Sequence, residues 1–210
     1  MARPHRSRRA AATPPDRSVA PAPSASAPAK PRVLLGVCGS IAAYKGADLC
    51  SKLVQAGFDV TVCMTDAAQK LVGPLTFAAL TGRPVATDPY TSEHDVHVEH
   101  IRLADHAQVM VVAPATANFL GKAANGIADD VLTSAYLAVT CPVIVAPAMN
   151  VRMWNHAAVR RNLATLRGDG VEIVEPEAGF LACGDVGRGR LAPPEEILAR
   201  VAAALARQGP

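Results

Sequence analysis

Three side chains of this sequence have the chemistry of a substrate ligand, an acid or base, and a nucleophile or proton donor: Asn150, His100 and Cys183. Asn150 comes just after the apolar run Val-Ile-Val-Ala-Pro at residues 143–147. Ligands of open α/β sheets sit beyond the carboxyl ends of the strands, so an amide placed there can hold a polar substrate group. The same residue is also a favoured helix N-cap, and both readings stand. His100 opens the segment His-Ile-Arg-Leu-Ala-Asp ahead of a second apolar run at 109–113. Imidazole titrates near neutral pH, which suits a single acid or base; a solvated loop position is the plainer alternative. Its spacing from His94 and His97 raises zinc, but the segment shows no helix pattern, and in a strand His97 would face away from the other two. No metal site is expected. Cys183 lies in Leu-Ala-Cys-Gly-Asp-Val-Gly-Arg-Gly-Arg at 181–190. A glycine-dense stretch of this kind is expected to close over a site as a lid, with the thiol as acid or redox partner.

Two turns add an anion-binding character. Gly36-Val-Cys-Gly39-Ser40 puts small residues and a hydroxyl at a helix start, where free N–H groups and the helix dipole favour a phosphate. There is no Gly-x-Gly-x-x-Gly, and the end of the next apolar run offers Thr65 rather than a ribose-binding acid. A mononucleotide such as FMN therefore fits better than NAD, against the alternative of a tight turn kept for packing. Ala113-Pro-Ala-Thr-Ala-Asn118 repeats the design, with Thr116 and Asn118 as hydrogen-bonding groups. Helix capping alone would account for Asn118 but not for a second turn of small residues.

The elements that must position these groups alternate. Apolar runs at 33–37, 58–64, 109–113 and 143–146, with a smaller one at 171–174, read as buried strands. Helical periodicity covers about 41–55, 117–124, 130–139, 157–167 and 194–207, and residues 65–66 open another helix. A βαβα order implies right-handed crossovers and a doubly wound, mostly parallel α/β sheet of about five or six strands. Residues 1–31 are expected to form a disordered Pro/Ala/Arg-rich tail, and 32–207 a single domain. Residues 1–32 hold seven of the 17 prolines, seven of the 21 basic residues and one of the 18 acidic ones, so the remainder carries 14 basic and 17 acidic side chains, net −3. A mildly acidic folded part argues against nucleic-acid binding. No apolar run is long enough to span a bilayer and the tail lacks a signal-peptide core, so a cytoplasmic protein without membrane contact is expected. The five cysteines form no Cys-x-x-Cys pair; Cys38, Cys63 and Cys141 read as small core residues.

Together these segments resemble the homo-oligomeric flavin-containing cysteine decarboxylases. The resemblance spans residues 32–205 and rests on Gly-Ser-Ile-Ala-Ala-Tyr-Lys at 39–45, His-Ile-Arg-Leu-Ala-Asp at 100–105, Ala-Pro-Ala-Thr-Ala-Asn at 113–118, Pro-Ala-Met-Asn at 147–150 and Ala-Cys-Gly-Asp with Gly-Arg-Gly-Arg at 182–190. It implies a Rossmann-like flavoprotein fold and FMN held by Gly39, Ser40, Ile41, Thr65 and Ala115, Thr116, Ala117 and Asn118, with Ala148 near the ring. It implies catalysis by His100, Asn150 and Cys183, and substrate contacts from Asn150, Met149, Ala182 and Gly184. The implied reaction oxidises the cysteine end of a substrate to a thioaldehyde, loses the adjacent carboxylate as CO₂ and returns the enethiol to a saturated thiol. Cys183 favours the branch that converts 4′-phosphopantothenoylcysteine to 4′-phosphopantetheine in coenzyme A synthesis, because only a reductive final step needs it. A branch that oxidatively decarboxylates a C-terminal peptidyl cysteine and a non-catalytic regulatory subunit are the rivals. The resemblance also implies a homotrimer, or a higher assembly of trimers, with the flavin site at a subunit contact.

Overall fold

The computed structural model describes residues 30–88, 99–182 and 184–208. The amino-terminal tail before residue 30, His94, His97 and Cys183 lie outside the described residues. In chain order the elements are β1 (Arg32–Val37), α1 (Ala43–Gln55), β2 (Asp59–Met64), α2 (Asp66–Gln69), α3 (Pro74–Thr81), α4 (Glu99–His106), β3 (Val109–Ala115), α5 (Ala117–Ala124), α6 (Val131–Ala138), β4 (Val143–Pro147), α7 (Val151–Asn155), α8 (Ala157–Gly168), β5 (Glu172–Ile173), β6 (Glu177–Phe180), β7 (Val186–Arg190) and α9 (Pro194–Ala206).

The first five strands form a parallel sheet in the order β2-β1-β3-β4-β5. Successive side chains of a strand point to opposite faces, and both faces of this sheet are covered. Val33, Leu35 and Val37 of β1 pack with Leu49 and Leu53 of α1, Phe77 of α3 and Ile197 and Val201 of α9. Leu34 and Cys38 face the other way, toward Leu103 of α4, Phe119 of α5, Leu132 of α6 and Leu163 of α8. Each fully buried Leu or Phe in these two layers contributes roughly 1.5–3 kcal/mol of hydrophobic stabilisation. Apolar runs without polar alternation are what a sheet covered on both faces requires, and this is why β1, β3 and β4 are plain in the sequence.

The strand order reverses direction between β1 and β3, so the crossovers leave to opposite faces there and open a crevice at the carboxyl edge. Two elements near that crevice differ from expectation. Residues 99–106 form a helix, so His100 sits in its first turn rather than on a strand or solvated loop; the helix shows an apolar face only when Leu103 and Ala104 are read together against the sheet. The glycine-dense lid segment is an antiparallel hairpin, β6 with β7, separate from the main sheet. Its turn includes Gly184 at φ +88°, a left-handed backbone that glycine adopts without steric cost. The helices α3 and α7 also emerge where the sequence pattern is short. No helix among the described residues is long and apolar enough to cross a membrane.

Candidate functional site

Four strand ends are joined at the crevice by their own backbones. Thr65 N–H donates to Val37 C=O at 3.1 Å, Cys38 N–H to Pro114 C=O at 3.1 Å, Ala148 N–H to Ala115 C=O at 3.0 Å and Met149 N–H to Gly189 C=O at 3.0 Å. The last bond carries the line from the sheet into the hairpin. Gly39 lies where a side chain has no room: a Cβ there would stand 2.8 Å from the Ala67 carbonyl carbon and closer still to its Cβ. Gly189 is as tight, because a Cβ would collide with the Met149 carbonyl oxygen.

Two cavities open on this edge. One, of about 590 Å³, is lined by Gly39, Thr65, Thr116, Ala117, Asn118 and Lys122, together with Asp66, Asp129 and Asp130. The first N–H groups of a helix have no intrahelical partner. Thr116 caps α5 by accepting from Phe119 N–H at 3.3 Å, while Ala117 and Asn118 at the helix start line the cavity. Thr116, not Asn118, is therefore the cap, and the amide of Asn118 serves no capping role. Lys122 bridges Asp129 at 2.6 Å and Asp130 at 3.2 Å. Its hydrogen bond holds the Asp129 carboxyl below the usual carboxylate range.

The second cavity, of about 620 Å³, is largely apolar: Ile41, Ala42, Ala148, Met149, Leu181 and Leu191 line it with Ser40, Asn150 and Ala182. The two cavities share Gly39, Thr116, Ala117 and Met153. A polar compartment beside helix N–H groups thus meets an apolar one that ends at Asn150. The capping reading of Asn150 holds, and the same residue lines the apolar cavity. It caps α7, its Oδ1 accepting from Arg152 N–H at 2.7 Å. Its Nδ2 donates to Asp185 Oδ2 at 2.9 Å, tying the amide to the turn of the hairpin.

The remaining sequence candidates are placed as follows. Ala115 is buried beneath the crevice in β3, and Gly184 shapes the hairpin turn without lining either cavity. His100 lines neither cavity; it is half-buried on α4, and its Nδ1 is shielded from solvent with no hydrogen-bond partner among the described residues. Cys38, beside Gly39, is not a reactive thiol: burial pushes it up to about 12, against a smaller opposing effect of hydrogen bonding with Thr116. Among the described residues no cluster of His, Cys, Asp and Glu could hold a metal ion. Sequence reasoning gave no role to Tyr44, Lys45, Met153, Phe180, Arg190 and Leu191, all of which line the apolar cavity. Tyr44, Lys45 and Arg190 had a signal, a polar group inside a motif; Met153, Phe180 and Leu191 are apolar residues that only the fold gathers.

Comparisons with known proteins identify relatives of this chain. The coenzyme A biosynthesis bifunctional protein CoaBC of Bacillus subtilis is 54% identical over 166 residues, 79% of this chain and 41% of that relative. The chain therefore spans about two fifths of that relative's length. Among solved structures, the FMN-dependent cysteine decarboxylase SpaF superposes with a TM-score of 0.76 at 39% identity, covering 86% of this chain and 98% of the other. A PPC decarboxylase mutant complexed with pantothenoylaminoethenethiol gives a TM-score of 0.76 at 36% identity, covering 83% and 98%. Residues 22–206 match the Flavoprotein family, and the chain belongs to it.

Proposed function

We propose that the protein binds FMN and decarboxylates the cysteine moiety of 4′-phosphopantothenoylcysteine, giving 4′-phosphopantetheine. The observation that carries this reading is the pair of joined cavities: a polar one at the start of α5, continuous through Gly39, Thr116 and Ala117 with an apolar one ending at Asn150. The donor set fits an FMN phosphate, with the Thr65 and Thr116 hydroxyls and the helix-start N–H groups of Ala117 and Asn118 around it. Gly39 lets the first turn pack against Ala67 where the two cavities meet, and Ser40, Ile41 and Ala148 line the wall expected beside the ring. Bound FMN supplies a two-electron acceptor that is restored within the same cycle, so the reaction is redox-neutral overall.

The protein's own groups orient and protonate. Asn150, held by the Arg152 N–H and by Asp185, receives the cysteine carboxylate at the end of the apolar cavity. Apolar walls of Met149, Leu181 and Ala182 exclude water, which favours loss of a carboxylate as neutral CO₂. Cys183, next to Ala182 in the sequence, gives the proton that saturates the enethiol. His100 lines neither cavity of its own chain, and the cavity rim is exposed and apolar, with Ile41 65% and Tyr44 63% accessible. Both facts support a homotrimer in which His100 of one copy serves the cavity of the next as acid or base.

The similarity to SpaF keeps a second reading open, oxidative decarboxylation of a C-terminal peptidyl cysteine. Anaerobic turnover of phosphopantothenoylcysteine and of a peptide ending in Cys, read by mass, separates them. Loss of CO₂ alone from the small substrate is expected. Additional loss of two hydrogens, or turnover of the peptide only, contradicts the primary reading. Cys183→Ser is expected to decarboxylate and to accumulate the enethiol; full conversion to the saturated thiol removes Cys183 from the mechanism.

A further inference from the structure

The apolar cavity carries a charge imbalance that neither the flavin turns nor Asn150 accounts for. Its lining includes two cations, Lys45 on α1 and Arg190 at the end of β7, and no carboxylate. Arg190 faces Glu177 in the hairpin register, yet no ion pair joins them or links Arg190 to any other carboxylate among the described residues. The contrast with Arg188, two residues earlier on the same strand, is direct: its Nη1 stands 3.7 Å from Glu175. The Arg190 side chain instead runs back across Gly179 of β6. A Cβ at Gly179 would stand 2.8 Å from Arg190 Cδ and 2.9 Å from its Nη1. Gly179 therefore leaves a bed in which the guanidinium lies, and a side chain there would push it away while leaving the backbone alone.

An unpaired guanidinium fixed over an apolar cavity is a receptor for a planar or tetrahedral oxyanion, which it can grip with two parallel N–H groups. The cysteine carboxylate is already assigned to Asn150, and the helix-start N–H groups lie in the other cavity. We propose that Arg190, positioned by Gly179 and assisted by Lys45, is the subsite for the phosphomonoester at the end of the substrate remote from its cysteine. This rests on the phosphopantothenoylcysteine reading and deepens it, because the same residue would then set the preference for a phosphorylated small molecule.

The test uses the flavin-loaded full chain and the non-reactive pair 4′-phosphopantothenate and pantothenate, with binding followed by the flavin absorbance. The wild type is expected to bind the phosphorylated compound at least tenfold more tightly. Arg190→Ala should weaken it about tenfold to a hundredfold while pantothenate binding stays unchanged. Arg190→Lys should fall between, and Gly179→Ala should reproduce part of the loss with an unchanged unfolding midpoint. In turnover, Arg190→Ala should raise KM for phosphopantothenoylcysteine with little change in kcat. Three results overturn the proposal: no preference in the wild type, equal weakening of both compounds, or loss of FMN from Arg190→Ala, which would assign the guanidinium to the cofactor. A wild type that shows the preference but does not decarboxylate the small substrate would refute the proposed function and leave the subsite standing.

Discussion

The floor of the site and the hairpin over it are joined at Met149 and Gly189 but held by different forces. The floor consists of strand ends whose backbones bond to one another, with Val37, Cys38, Ala113 and Ala115 buried between two helix layers. The hairpin has no layer over it: Phe180 is 69% and Val186 76% exposed. Its ties include the Met149–Gly189 backbone bond, the Asn150–Asp185 side-chain bond, the exposed Arg188–Glu175 ion pair and the contact of Val151 with Gly187, where a Cβ would come within 2.7 Å of the Val151 side chain. Parallel strands buried on both faces are among the most constrained parts of a fold, whereas an outlying two-stranded ribbon depends on a few contacts. The floor is accordingly the part suited to holding a cofactor permanently, and the hairpin the part suited to admitting and choosing a substrate.

Substitutions can break that division, starting with the largest expected effect. Gly39→Val places branched carbons against the Ala67 backbone at the joint of both cavities. It should abolish flavin binding and lower stability by about 1–3 kcal/mol, the usual cost of overpacking, as read by visible absorbance and urea unfolding. A flavin-replete Gly39→Val would mean that the first turn is not part of the cofactor floor. Asn150→Ala should cut kcat about 100-fold, in line with loss of one oriented hydrogen bond to a reacting group, and keep its flavin. Asp185→Ala removes the partner of that amide, together with a carboxylate that stands 4.0 Å from Arg152 Nε. About a tenfold fall in kcat/KM with normal flavin content is expected, and a variant indistinguishable from wild type would show that the tie to the hairpin does not orient Asn150.

The last effect is on stability at high pH and belongs to the buried core, Cys38 in the floor and Cys50 on α1. Burial raises the Cys38 and Cys50 thiols from about 9 to about 12. The folded chain then keeps protons that the unfolded chain releases, so stability is full below about pH 9 and falls as pH rises toward 12. Each such thiol contributes up to about 1.4 kcal/mol per pH unit in that window. Urea midpoints at pH 8 and pH 10.5 should drop for the wild type, and by less for Cys38→Ala compared with its own value at pH 8. An equal drop in both would mean that Cys38 does not titrate on unfolding.

The same division governs what could be read from the sequence. The strands β1, β3 and β4 and the turns after β1 and β3 follow from unbroken apolar runs ending in small residues, and the fold class comes with them. The helix α5 was legible to the residue, although the sequence offered Asn118 rather than Thr116 as its cap. Local pattern gives no access to the hairpin partners: Asn150 and Asp185 are 35 residues apart, and the Arg190 side chain reaches Gly179 only once β6 and β7 are in register. The helix carrying His100 was missed because it buries just Leu103 and Ala104, too few apolar positions to fix a period. Two of the three residues first singled out, Asn150 and His100, do not line a common cavity among the described residues, and their proposed cooperation rests on the proposed trimer.

The division between floor and hairpin is tested most directly by replacing residues 177–190 with a short Gly/Ser linker and measuring bound flavin and decarboxylation in the same preparation. The account predicts about one FMN per chain and no turnover of phosphopantothenoylcysteine. Loss of the flavin together with activity, or turnover that survives the replacement, would contradict it.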